Sequence, residues 1–159
     1  MKKAITALLM AAVVLTQVVT TEAEGDTYIK AEYVSYCRRI GNRYGIAPEL
    51  LEYLIEAESS GRADARSETG DIGLCQINLR YSRYTERQLL EPETNIRAAA
   101  EILSGLFEKY DIEGLMAYNT GEYSKTFKRH MQEGTMTPYA RKIIRRSDQL
   151  QRLHERSRT

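Results

Sequence analysis

Tryptophan is absent from this 159-residue chain, and proline (3), cysteine (2), histidine (2) and phenylalanine (2) are scarce. Three prolines and 10 glycines give too little turn chemistry for an all-β chain of many short strands. Cys37, Cys75, His130 and His154 are scattered, so they supply neither the four clustered ligands of a zinc site nor a disulfide framework. No metal and no cofactor is expected. An excess of one charge is also lacking. The chain has 23 Lys+Arg against 22 Asp+Glu, a formal net charge of +1, which argues against a dedicated nucleic-acid binder. What is present is 42% hydrophobic residues, evenly spread, enough for one domain with a modest core and too much for a disordered chain.

The N-terminus stands apart. Lys2 and Lys3 precede an almost wholly apolar run from Ala4 to Val19, and Thr21 and Ala23 place small residues before a cleavage point. Residues 1–23 therefore read as a secretory signal. The run, broken by Thr16 and Gln17, falls short of the ~20 apolar residues of a membrane span. Export to the periplasm, cell envelope or exterior is expected. Removing residues 1–23 leaves 21 basic and 21 acidic residues, unevenly placed. From Tyr139 onward seven basic residues face only Asp148 and Glu155. A basic helical tail, residues 146–159, is expected beyond a domain spanning 27–145. It reads as a solvated helix face, with contact to an anionic wall polymer or membrane surface as the alternative.

Helical periodicity dominates the rest. A first helix is expected from Thr27 to Tyr44, stopped by Gly45, and a second from Pro48 to Ser60, stopped by Gly61. Residues 62–71 read as loop, followed by a short helical piece over Leu74–Asn78. Pro92 opens a long helix with an apolar stripe of Ile96, Ala99, Ala100, Leu103, Leu106, Phe107 and Tyr110. Shorter helices fit Glu113–Tyr118 and Tyr123–Met131. Thr137 and Pro138 offer an N-cap and first turn for a last helix toward Leu153. The fold class is mainly α, in one domain.

The second helix carries Glu49, Glu52, Glu56 and Glu58. At about 100° per residue, Leu51, Leu54 and Ile55 lie within about 60° of Glu58, while the other three acids lie at least about 120° away. Three acids are thus expected in solvent and one on the apolar face near the helix end. A desolvated carboxyl there stays protonated near neutrality, as a general acid requires. On this helix alone, a glutamate satisfied by a neighbouring hydrogen bond or ion pair is the better explanation.

The residues that follow add context. Glu58-Ser59 ends the helix, and Ala65, Ser67, Gly70, Asp71, Gly73, Leu74 and Gln76 follow at the spacing A-x-S-x-x-G-[AD]-x-G-L-M-Q. Pro92–Ile96, Ala117-Tyr118-Asn119-Thr120-Gly121, and Tyr139 with Lys142-Ile143 come later in the same order. Together these resemble the motifs of the lytic transglycosylases of the soluble-lytic-transglycosylase (goose-type lysozyme-like) family, over roughly residues 30–145. The chain departs in having Cys75 where the family has methionine. Lacking tryptophan, it must also draw any sugar-stacking surface from its 11 tyrosines.

The resemblance implies a lysozyme-like domain with its catalytic glutamate at the end of a core helix. Its substrate would be peptidoglycan glycan strands, cleaved after N-acetylmuramic acid to leave 1,6-anhydro ends. Glu58 would act as acid and then base, with the substrate's acetamido group in place of a second carboxylate. Ser67 would offer Glu58 a hydroxyl, Gln76, Tyr118 and Asn119 would hold the muramyl acetamido group, and Tyr139 would close the site near Glu58. Without the resemblance, Ser67 reads as a loop serine and the two tyrosines as packing residues. Asp71 would activate water in a hydrolytic lysozyme, or cap a short helix near Gly73. A non-catalytic wall-binding scaffold is the other alternative. The chain is expected to be a monomer, with a secretion, conjugation or phage-entry machine as a possible partner. Cys37, among Tyr33, Val34 and Ile40, and Cys75 are expected as free thiols.

Overall fold

A computed structural model of the protein describes residues 29–156. The expected signal at 1–23 and the last three residues of the expected tail lie outside the described residues. The helices are α1 (Ala31–Tyr44), α2 (Pro48–Ser59), α3 (Glu86–Leu89), α4 (Pro92–Tyr110), α5 (Gly114–Thr120), α6 (Lys125–Glu133) and α7 (Pro138–Arg156). Two-residue strands β1 (Asp71–Ile72) and β2 (Ile77–Asn78) lie between α2 and α3. The mainly α class expected from the periodicity holds, and it is consistent with the lysozyme-like domain that the resemblance implies. No helix among the described residues is long and apolar enough to cross a membrane.

Local chemistry accounts for most helix ends. α1 buries Tyr33, Cys37 and Ile40 on one face and stops at Gly45, whose φ of 67° returns its N–H to the Gly41 carbonyl. Proline occupies the first turn of α2, α4 and α7, where its missing N–H costs nothing. The Thr137 hydroxyl accepts the Ala140 N–H at 3.2 Å, capping α7. α3, which periodicity missed, is four residues held by a capping box between Thr85 and Gln88. α2 packs between α1 and α7, and α4 packs against α1 and α5. Residues 146–156 continue α7 without a break and bury Ser147 and Leu150.

The segment expected to be helical at Leu74–Asn78 is instead a hairpin. β1 and β2 pair antiparallel, Asp71 opposite Asn78 and Ile72 opposite Ile77, around the turn Gly73–Gln76. Asp71 is therefore a strand residue and caps no helix. Two constraints rule out the helix. Gly73 and Gln76 have φ of +79° and +50°, outside the right-handed helical region. In addition, Asn95 of α4, fully buried, captures the turn. Its Oδ1 accepts the Cys75 N–H at 2.7 Å, and its Nδ2 donates to the carbonyls of Ile72 and Leu89, both at 2.8 Å. A Cβ on Gly73 would collide with the Asn95 amide and sit 2.5 Å from the Leu89 oxygen, so the close approach demands glycine.

The expectation that Glu49, Glu52 and Glu56 face solvent is overturned. Glu52 is only 2% exposed, Glu49 and Glu56 are half-buried, and the Oε2 atoms of Glu52 and Glu56 are buried without a hydrogen-bond partner. The cause is tertiary: α1 and α7 both cover α2, so its polar side is enclosed as well as its apolar side. Burial, reinforced by Glu49, pushes the Glu52 carboxyl from an ordinary 4.5 up to about 7, against a downward pull from Arg38. Cys37 and Cys75 are both free and fully buried.

Two stability predictions follow from this packing. Asn95→Ala leaves three buried main-chain groups short of a partner, each worth about 1–3 kcal/mol. Urea unfolding should show a loss of at least about 3 kcal/mol. Glu52 ionises more easily in the unfolded chain, so its charge costs the folded state progressively as pH rises from about 4.5 to 7. Glu52→Gln should therefore leave stability near wild type at pH 4 and raise it by about 2–3 kcal/mol at pH 8. An equal effect at both pH values would contradict the buried, protonatable carboxyl.

Candidate active site

Glu58 lies in the last turn of α2, half-buried, where the chain leaves the helix through Ser60 at a left-handed φ of 53°. Ser59 turns inward and its hydroxyl donates to the Ile55 carbonyl at 3.2 Å, leaving Glu58 directed away from that buried side. Two effects resist ionisation of Glu58. Burial, aided by the negative charge of Asp71, raises its carboxyl above the usual range, and the helix C-terminus disfavours an anion. One effect opposes them: the Tyr139 hydroxyl donates a short hydrogen bond to Oε1, which favours the carboxylate. Burial and the adjacent Glu58 push the Tyr139 phenol upward in turn, so Tyr139 remains a neutral donor.

Opposite Glu58 stands the hairpin turn. Tyr118 of α5 donates to the Cys75 carbonyl at 2.7 Å, so Cys75 is held at its N–H by Asn95 and at its C=O by Tyr118. Burial and the negative charge of Glu58 raise the Cys75 thiol, which marks how close this turn lies to the carboxyl. Burial, followed by Cys75, Tyr139, Glu58 and Asp71, raises the Tyr118 phenol, and these five groups form one electrostatic cluster. Gln76 occupies the left-handed region and its Nε2 donates back to the Gly73 carbonyl at 2.9 Å. A non-glycine residue held there is strained, which the tightly anchored turn sustains. Asn119, next in α5, is exposed and makes no side-chain hydrogen bond among the described residues.

Ser67 does not bond Glu58. Its Oγ donates to Asp71 Oδ2 at 2.6 Å and accepts the Asp71 N–H at 2.9 Å. Thr69 Oγ1 donates to the same Oδ2 at 2.6 Å, and Asn78 Nδ2 to Oδ1 at 2.7 Å. Partial burial pulls Asp71 upward, but these three hydrogen bonds together outweigh it and hold the carboxyl below its usual range. The neighbouring acids are thus driven apart, Glu58 toward the neutral form and Asp71 toward the anion. A partly desolvated carboxylic acid with one oxygen tied to a tyrosine can deliver a proton from the other.

The structure brings Glu58, Tyr118, Tyr139 and the Cys75–Gln76 turn together, and it turns Ser67 toward Asp71. Asn95 falls within the Pro92–Ile96 motif segment, which by itself assigns it no role. The signal available was a polar residue on the helix face of α4 that also carries Ala98, Ala99 and Leu103, at the i+3, i+4 and i+8 positions. Of the tyrosines expected to offer stacking surfaces, Tyr81 and Tyr123 are strongly exposed, the latter in the loop between α5 and α6.

The transglycosylase SLT domain family matches residues 35–139, a stretch that begins in α1 and ends on Tyr139. Over 108 residues, 61% of the chain, the sequence is 30% identical to the peptidoglycan transglycosylase gp16 of Escherichia phage T7. The matched region covers 8% of that phage protein.

The opposing influences on Glu58 can be separated by NMR titration of its carboxyl carbon. Tyr139→Phe removes the hydrogen bond that favours the carboxylate and should raise the Glu58 pKa further. Asp71→Asn removes a repelling charge and should lower it. A shift of the opposite sign in either variant would refute the electrostatic assignment.

Proposed function

The chain belongs to the transglycosylase SLT domain family, and on that premise we propose that it is a peptidoglycan lytic transglycosylase with Glu58 as its only catalytic carboxyl. The observation that carries this reading is the contrast between two neighbouring acids. Glu58 is held toward its neutral form in a partly buried site, and Asp71 is a hydrogen-bond-saturated anion. Protonation of the glycosidic oxygen by Glu58 breaks the bond from the N-acetylmuramic acid anomeric carbon to the leaving sugar. The substrate's 2-acetamido oxygen bonds that carbon meanwhile, supplying the nucleophile that a second carboxylate provides in most glycosidases. Glu58, now ionised, takes the proton of the C6 hydroxyl. The C6 oxygen then displaces the acetamido oxygen and closes a 1,6-anhydro ring, so no water is consumed.

Each neighbouring residue has a part in this scheme. Tyr139 holds Oε1 and keeps the carboxyl oriented. Tyr118 fixes the Cys75–Gln76 turn, and Gln76 and Asn119 would bind the muramyl acetamido group. Ser67 serves at one remove by keeping Asp71 ionised, which leaves Asp71 a weak base for activating water and disfavours the hydrolytic lysozyme reading. Acting on the wall polymer requires residence at the cell wall or in the periplasm, and residues 1–23 would direct export there.

Product analysis of purified peptidoglycan tests the proposal. Mass spectrometry should show anhydro-muropeptides. Reducing ends would indicate a hydrolase, and intact sacculi a scaffold. Glu58→Gln should lower turnover by about 10²–10⁴-fold with an unchanged unfolding midpoint, the usual worth of a positioned general acid. Wild-type activity should decline as pH rises through the raised Glu58 pKa.

A further inference from the structure

A second cavity, of about 270 Å³, opens where the middle of α1, the start of α2 and the end of α7 meet. It is lined by Arg38, Asn42, Pro48, Glu49, Glu52 and His154. Arg38 and Asn42 lie one turn apart on α1, and Glu49 and Glu52 one turn apart on α2, so each pair shares a helix face. The cavity is separate from the candidate active site: Glu49 and Glu58 are nine residues apart, about 13 Å along α2. His154 also lies beyond the stretch that matches the transglycosylase family.

Glu52 is the unusual wall of this cavity. It is 2% exposed, and its Oε2 is buried without a hydrogen-bond partner. Such an oxygen is costly unless a donor meets it. Glu101 borders another pocket but is saturated, accepting hydrogen bonds from Tyr44, Arg83 and Tyr84. Glu49 likewise has a partner, with His154 Nδ1 3.0 Å from its Oε1. The lining therefore offers an unmet acceptor in Glu52, and donors in Arg38 and Asn42, which make no hydrogen bond or ion pair among the described residues.

A ligand of one charge is poorly matched to such a lining. A simple cation meets the Arg38 guanidinium, and a simple anion meets Glu49 and Glu52. We propose that this pocket binds an amino-carboxylate, whose ammonium donates to Glu52 and whose carboxylate accepts from Arg38 and Asn42. The volume lies just below the usual range for drug-sized sites and admits only a group this small. Burial and Glu49 hold the Glu52 carboxyl up at about 7, so an arriving ammonium would also draw its proton away. Two sources share this chemistry, a free amino acid and a peptide residue whose side chain ends in a free amino-carboxylate, as that of diaminopimelic acid does. The peptide source rests on the peptidoglycan reading above, because wall strands carry peptides.

Calorimetric titration of the full chain with three matched probes tests the pocket. 2,6-Diaminopimelic acid carries both groups, cadaverine only ammonium groups, and pimelic acid only carboxylates. The amino-carboxylate should bind saturably, with a Kd of about millimolar or tighter. Each control should bind at least tenfold more weakly, and Glu52→Gln and Arg38→Gln should each weaken the amino-carboxylate at least tenfold. No binding, equal binding of all three probes, or binding unchanged in both variants would overturn the proposal. The source is then read from sedimentation of the Glu58→Gln protein with peptidoglycan before and after amidase removal of its peptides. Peptide-dependent sedimentation that disappears on adding Glu52→Gln identifies the peptide residue. Probe binding without any peptide dependence identifies a free amino acid. Because the titration reads no turnover, intact sacculi alongside specific probe binding would refute the transglycosylase reading and leave the pocket standing.

Discussion

The Asn95 side-chain amide substitutes for main-chain partners that the hairpin cannot supply for itself. Two paired residues per strand are far too few to stand alone in water. Asn95 closes the deficit by accepting the Cys75 N–H and donating to Ile72 and Leu89, joining the turn, the end of α3 and α4 through one buried group. Tyr118 then takes the Cys75 carbonyl, which adds α5 to the same network. Gln76 follows directly in the chain and is held in a backbone region that few non-glycine residues occupy. The wall of the candidate site facing Glu58 is therefore positioned from behind by the buried Asn95 amide and braced by the Tyr118 hydroxyl.

Electrostatic differentiation between like residues is the second theme. Glu58, Asp71 and Glu52 are all carboxyls, and each has a different environment. Burial at a helix C-terminus keeps Glu58 toward its neutral form, with Tyr139 moderating the effect. Three donors offset the partial burial of Asp71 and hold it ionised. Glu52 has burial and a neighbouring acid, with only Arg38 opposing them. Divergent environments around nearby acids are how one fold assigns separate proton-transfer roles at one pH.

α7 ties these regions together. It runs antiparallel to α2, meeting Glu58 through Tyr139 at one end and Glu49 through His154 at the other. Between these contacts Arg146 lies over the Tyr53 ring, with its guanidinium 5.1 Å from the ring centroid. A single helix thus closes both the candidate active site and the remote cavity, packing on the core through Ala140, Ile143, Ser147 and Leu150 while Arg141, Lys142, Arg145, Arg152 and Arg156 stay exposed.

Local signals in the sequence determined the helices. Pro48, Pro92 and the Thr137-Pro138 pair mark starts, Gly45 marks a stop, and the period of apolar residues gives each helix its buried stripe. The ordered motifs group Glu58, Ser67, Gln76, Tyr118, Asn119 and Tyr139 as candidates, and the helical wheel sets Glu58 beside Leu54 and Ile55. Only tertiary structure decided the rest. Leu74–Asn78 folds as a turn and strand because an amide some 20 residues away captures it. Ser67 serves Asp71 because the hairpin brings their side chains together. Glu52 is buried because α1 on one side and α7, starting at Pro138, on the other cover the face that periodicity assigned to water. Periodicity along one segment records how apolar each of its faces is. It carries no information on which distant element will cover a face, and that contact sets burial, hydrogen-bond partner and charge state.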